Sequence, residues 1–294
     1  MNIRLMTDGN GDLPKWYTDQ RNITVMPMTY RIDDREYRDV QDTTDLGYLD
    51  PHAFYDMLRA GKSATTAQIN TQDFLEVFRP VLAAGDDIFF VCFSSGLSGT
   101  HGSLLTAIDM LKSEFPARTI YAVDSLGAAG GQALLTHIAA QKLDQGMPPE
   151  ELEQWLNREK LMLHHWFTVD DLGHLRRGGR ISAATAVMGS MLGIKPVLNV
   201  NSEGKLISID KAKGRKRAIK ALVDRMEQYC DAPGAYDIFI SHADCLEDAE
   251  TLAAQVKERF GVEVKFICSL SSTVGSHAGP GTLALFFMGN QLRE

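Results

Sequence analysis

Apolar and polar positions follow two alternating rhythms along this chain. Short apolar runs of strand length are separated by longer stretches with helical spacing. Residues 3–6 read as a short strand ending at Thr7-Asp8-Gly9, and residues 23–30 form a second apolar run. Residues 31–37 read as a hairpin turning at Asp33-Asp34. Helical patterns follow at about 51–60 and 71–83. The strongest strand is DIFFVCF at 87–93, apolar at nearly every position, as in a parallel-sheet strand covered on both faces. The loop SSGLSG leads from it into a helix over about 100–112. A strand at 119–123, Asp124-Ser125 and a helix over about 128–143 complete this part. Strand, loop and helix repeating in this order predict a doubly wound α/β domain with a mainly parallel sheet.

Gly146, Met147, Pro148 and Pro149 break the pattern, and a helix over 150–161 bridges the two halves of the chain. Beyond it, residues 164–169 read as a strand and 170–177 as a short helix. Gly178-Gly179 stops the chain, and 182–192 is apolar with helical spacing. Residues 196–200 and 205–209 predict a hairpin across Ser202-Glu203-Gly204. A helix over about 214–229, a strand at 238–241, a helix at 247–260 and a strand at 262–267 come next. A Gly-rich loop then feeds a final strand. The expected organisation is α/β throughout. An N-terminal doubly wound domain spans 1–160, and a C-terminal α/β domain with a mixed sheet and helices spans 161–294.

Composition narrows the class. Of 294 residues, 44% are hydrophobic and 23% charged, which excludes a largely disordered or fibrous chain. Net charge is −8, against a general nucleic-acid coat. The average hides a basic stretch: seven Lys/Arg and one Asp between 205 and 220 give +6, leaving −14 elsewhere. Stacking aromatics are absent around it, which argues against single-stranded nucleic acid. No apolar run follows a basic start, so no signal peptide is expected. The nearest approach to a membrane span, 181–194, is uncharged but has only 14 positions, where a span needs about 20. It reads instead as core or pocket wall. Cys92, Cys230, Cys245 and Cys268 show neither CxxC nor zinc spacing. Reduced thiols in a cytoplasmic protein without a metal are the expectation.

Four segments could carry chemistry. Ser94-Ser95-Gly96-Leu97-Ser98-Gly99-Thr100 joins the buried strand to a helix. Its hydroxyls and N–H groups suit an anion at the carboxyl end of a strand, although Ser and Gly also serve as plain caps. It fits neither GxxxxGK[ST] nor GxSxG. In Ser63-Ala64-Thr65-Thr66-Ala67-Gln68, Thr66 could reach the same anion, or Thr65 or Thr66 could cap a turn. Gly275-Ser276-His277-Ala278-Gly279-Pro280-Gly281 sets one histidine among three glycines, a backbone built for close approach. Arg176, Arg177 and Arg180 around Gly178-Gly179 suit a phosphate or a carboxylate-rich partner, or a solvated face. The apolar residues after Ile181, with Val187, Met188, Met191, Leu192 and Ile194, suit an adaptable apolar wall or ordinary core. His164-His165 falls in a strand pattern, with the rings on opposite sides, and makes a poor chelate.

Taken in order, these segments resemble the DegV family of bacterial fatty-acid-binding proteins, which includes the lipid-binding subunits of bacterial fatty acid kinase. The matching residues are Thr7-Asp8 with Asp12-Leu13-Pro14, Thr66-Ala67-Gln68, Ser94 to Thr100, Asp124-Ser125 and Asp171-Leu172. Leu175 with Gly178-Gly179-Arg180-Ile181-Ser182, Ile194-Lys195-Pro196, and His277 with Gly279-Pro280-Gly281 complete the series. Two places depart from the family pattern: Gly9 where TDS has Ser, and Ala67-Ile69 where TSQP has Ser and Pro.

The resemblance implies a non-catalytic carrier with no cofactor. One long-chain fatty acid would be its ligand, with the carboxylate near the domain junction at Thr66, Ser98 and His277, beside Ser95 and Gly99. The acyl chain would lie in a tunnel walled by Val187, Met188, Met191, Leu192 and Ile194. Arg176, Arg177 and Arg180 would face a fatty acid kinase catalytic subunit. A closed apolar tunnel holds such a tail at about 0.8 kcal/mol per CH₂. The competing reading is an acyl hydrolase with Ser98 or Ser95 as nucleophile, His277 as base and Asp124 or Asp8 as the orienting acid.

Overall fold

The computed structural model describes residues 2–182 and 193–293. The chain begins with β1 (Ile3–Asp8), α1 (Lys15–Gln20) and β2 (Thr24–Met26). β3 (Met28–Ile32), β4 (Arg35–Asp39), α2 (Pro51–Arg59) and β5 (Ala64–Ala67) follow. Next come α3 (Thr71–Ala83), β6 (Asp87–Cys92), α4 (Thr100–Glu114), β7 (Ile120–Asp124), α5 (Gly130–Asp144) and α6 (Pro149–Glu159). A 3₁₀ turn leads into β8 (Leu163–Thr168), α7 (Leu172–Arg177), β9 (Ile194–Val200) and β10 (Leu206–Lys213). The remainder is α8 (Arg215–Tyr229), β11 (Phe239–His242), α9 (Leu246–Phe260), β12 (Phe266–Ser269), α10 (Ser272–Ala278) and β13 (Leu283–Met288).

Three sheets result. The first is parallel throughout, in the order β2-β1-β6-β7, with every residue of β6 buried. The second has six strands in the order β10-β9-β8-β13-β11-β12. Its pairs are antiparallel except β11 with β12. This is the mixed α/β architecture that the hydrophobic pattern predicts. The third sheet, β4-β3-β5, is small and antiparallel: its β3–β4 hairpin turns at Asp33-Asp34 as the pattern predicts, and only the pairing of β5 with β3 lies outside that prediction. The apolar run at 23–30 is two strands, divided at Pro27 between two different sheets. Proline has no N–H to give a ladder, and here it marks the exit from the parallel sheet. The segment containing Thr66 is a strand, β5, where the sequence suggested a turn before a helix.

The Gly-rich stretch near the end holds a second correction. Its first part is a helix, α10, capped by the Ser271 side chain on the Val274 N–H. Gly279 closes it with φ +82°, a conformation that L side chains rarely adopt. The hairpin after Ile194 is longer than predicted and is bulged between Ser208 and Asp210. Strand alternation on β13 divides two cores. Ala284, Phe286 and Met288 join the large apolar cluster, and Leu283, Leu285 and Phe287 join a second cluster under α8 and α9. The large cluster takes residues from both sides of position 160. His164 and His165 do face opposite sides. His164 stacks on Tyr229 and Phe287, and His165 meets Phe286 edge-on. Among the described residues no helix is long and apolar enough to cross a membrane.

Candidate functional site

A cavity of about 300 Å³ opens where the loop after β6, the strand β5, the helix α10 and the face of β13 meet. Thr66, Gln68, Ser98, Gly99, Arg180 and His277 give it polar lining. Phe93, Leu97, Phe167, Leu175, Val200 and Phe286 give apolar walls. The volume lies at the small end of the usual range for small-molecule sites, about 300–1,000 Å³.

Each polar group arrives for a local reason. Thr66 sits on β5 opposite Tyr30. Strand alternation turns it inward and leaves Thr65 exposed, so it is neither a cap nor a turn residue. His277 lies on α10, and its Nε2 is 2.9 Å from the Thr66 hydroxyl. Its Nδ1 is buried without a partner, against the backbone of Gly178. A Cβ at Gly178 would fall 2.2 Å from that nitrogen, so the glycine after α7 lets the ring pass. Burial, with a smaller contribution from the Arg180 charge, pushes the His277 pKa down to about 4. The ring is therefore neutral near pH 7 and carries one N–H to donate.

The serine loop divides its hydroxyls between two jobs. Ser94 is buried and structural. Its hydroxyl donates to the Gly204 carbonyl at 2.8 Å and accepts from the Gly96 N–H, while its carbonyl accepts from the N–H groups of Leu97 and Ser98. Gly204, at φ +73°, makes this approach possible, because a Cβ there would lie 2.1 Å from the Ser94 oxygen. Ser98 faces the cavity. Its oxygen pairs with the Thr100 hydroxyl at 2.9 Å and accepts the Thr100 N–H at 3.2 Å, so it also satisfies the first N–H of α4, whose N-cap residue is Gly99. Ser95 is exposed and is not among the cavity's lining residues; its N–H donates to Asp124. Arg180 lines the cavity and ties the Gly178 turn to the serine loop, donating to the carbonyls of Gly178 and Leu97. Arg176 and Arg177 are exposed nearby on the last turn of α7.

The expected wall residues Val187, Met188, Met191 and Leu192 lie outside the described residues. Ile194 begins β9 and is not among the lining residues. The walls that are seen include Phe167 of β8, Phe286 of β13, Phe93 and Leu97 of the loop after β6, Leu175 of α7 and Val200 of β9. Sequence reading missed Phe167 and Phe286, although the period of two along β13 carries the signal for Phe286. It also missed Gln68 as lining, although Gln68 stands in the quoted Thr66 segment.

The basic run at 205–220 is partly neutralised by acids that its own span does not contain. Arg215 pairs with Asp248, Lys220 with Asp224 and Lys205 with Glu203. The hydrolase arrangement is not assembled among the described residues. His277 is bonded to Thr66 and Ser98 to Thr100. Asp124 accepts from the N–H groups of Ser95 and Leu126, and Asp8 from those of Phe93 and Asn10. No nucleophile–base–acid relay links them.

Comparison with known proteins agrees with this architecture. The profile of the DegV family, described as "Uncharacterised protein, DegV family", matches residues 2–290. A DegV domain-containing protein of Clostridium perfringens is 42% identical over 286 residues, covering 97% of each chain. A DegV family protein from Thermus thermophilus, whose structure is described for its fatty acid binding, superposes with a TM-score of 0.84 at 28% identity. That match covers 98% of this chain and all of that one. The fatty acid kinase B3 protein of Streptococcus pneumoniae, loaded with linoleic acid, shares the fold at a TM-score of 0.84 and 22% identity. It covers 99% of this chain and all of that one. This chain belongs to the DegV family.

Proposed function

We propose that this protein is a non-catalytic carrier that binds one long-chain fatty acid. The observation that supports this most is the juxtaposition of Thr66, Ser98 and His277 at one apolar cavity. A desolvated carboxylate needs several donors, and two hydroxyls and an imidazole can supply them. Phe167, Phe286 and their neighbours offer the acyl chain a dry wall. The related T. thermophilus protein, described for its fatty acid binding, supports the same ligand class here. In this reading the chain divides near 160, and the part after it houses most of the tail.

The carrier acts in the cytoplasm and presents its carboxylate to a fatty acid kinase catalytic subunit. Arg176, Arg177 and Arg180 form the face that the partner and its phosphate meet. Kinship in fold with the S. pneumoniae fatty acid kinase B3 protein supports that role. Lipid extraction and native mass spectrometry of the purified protein test the reading. About one equivalent of fatty acid is expected, restored by incubation after stripping. A protein that comes without lipid and takes up none would refute it.

A further inference from the structure

The helix that carries His277 is held at both ends by one small sheet. At its carboxyl end, His277 meets Thr66 of β5. At its amino end, Asp39, the last residue of β4, accepts two successive backbone N–H groups. Ser272 donates to one carboxylate oxygen at 3.3 Å and Thr273 to the other at 2.7 Å. β4 and β5 flank β3 in the same sheet, where Met28 pairs with Asp39 and Tyr30 with Thr66. Asp12, from the loop after β1, accepts the neighbouring Ser271 N–H at 3.0 Å, and Tyr55 of α2 donates to the Leu270 carbonyl at 2.9 Å. Asp39 is not among the residues lining the cavity.

We infer that Asp39 is a positioning residue for ligand binding: it fixes the amino end of α10 to the sheet that carries Thr66, and so sets the distance between His277 and Thr66. The inference rests on the head-group role proposed for those two residues. A seven-residue helix has few hydrogen bonds of its own, so its placement depends on such anchors. A carboxylate is suited to the task because both oxygens accept. An amide at the same place would accept with one atom and turn N–H groups toward an N–H with the other.

The test is a double-mutant cycle on lipid-stripped, full-length protein. Affinity is measured for a fatty acid and for the alcohol of the same chain length. Asp39→Asn is expected to weaken the acid about tenfold, the worth of one charge-assisted hydrogen bond, and the alcohol less than twofold. In a His277→Ala background it should cause no further loss. Equal weakening of acid and alcohol, no weakening of the acid, or a full additional loss in the His277→Ala background would overturn the inference. If Asp39→Asn does not fold, Asp39→Glu keeps both acceptors on a stem one carbon longer and is read by the same outcomes. If His277→Ala itself leaves acid affinity unchanged, the head-group reading fails and the positioning role with it. If His277→Ala weakens the acid and Asp39→Asn does not, the positioning role fails alone.

Discussion

Replacing Ser98 by alanine removes a hydroxyl with two duties. It accepts the Thr100 N–H at 3.2 Å and pairs with the Thr100 hydroxyl at 2.9 Å. Thr100 is buried, so water replaces that acceptor poorly. Leaving a buried donor without its partner costs about 1–3 kcal/mol, and half-burial of Ser98 itself places this loss near ~1 kcal/mol. In the loaded protein the same oxygen would donate to a carboxylate. A charge-assisted bond is worth about 1.5–3 kcal/mol, and the lower figure suits a half-buried donor. That corresponds to roughly tenfold in Kd. Urea unfolding of stripped protein reads the first effect, and titration with a fatty acid at pH 7 reads the second. Loaded protein should lose more stability than stripped protein, because a weaker ligand stabilises the fold less at the same concentration. If unfolding shifts as expected while acid affinity stays within about twofold, Ser98 serves only the buried Thr100 groups and the anion lies elsewhere.

Two glycines of the same loop should respond unequally to alanine. At Gly96 a Cβ would fall 2.5 Å from the Glu203 carbonyl oxygen, so Gly96→Ala should push the β9–β10 turn away and cost about 1–3 kcal/mol in urea unfolding. At Gly99 the nearest atom is the end of the flexible Gln68 side chain, so Gly99→Ala should cost under about 0.5 kcal/mol. Burial pushes Asp12 up to about 7 from 3.8. The native state therefore holds a proton there that the unfolded chain releases, and this stability is full below about pH 3.8 and lost as pH rises through 7. Asp12→Asn does not titrate, so its stability relative to the parent should rise by roughly 2–3 kcal/mol between pH 5 and pH 8. A flat difference across that range would place the ionisation elsewhere.

The segments with chemistry were visible in sequence because glycines and hydroxyls cluster where the backbone must bend, where a helix is capped or where a ligand is accepted. Their division of labour was not visible. Ser94, Ser95 and Ser98 are equivalent in the pattern, yet Ser94 is spent on Gly204, which lies 110 positions away. Ser95 points to solvent, and Ser98 alone faces the cavity. Thr66 read as a weak turn signal because a four-residue strand has too few positions to show a period. Asp39 gave no signal, since an exposed-looking hairpin end becomes an anchor only when α10 folds onto it.

The sequence by itself determined the α/β class, the parallel sheet around β6, the approximate place of most helices and the family. These follow from local periodicity and from motifs whose order is specific. The tertiary structure decided what touches what. The meeting of His277 with Thr66, 211 positions away, depends on which strands pair and on which sheet edge α10 settles. Proline at 27 sends one apolar run into two sheets, and period two along β13 sends neighbouring side chains into two cores. Contacts of that range carry no local signature. They are fixed by the burial that the whole fold achieves at once.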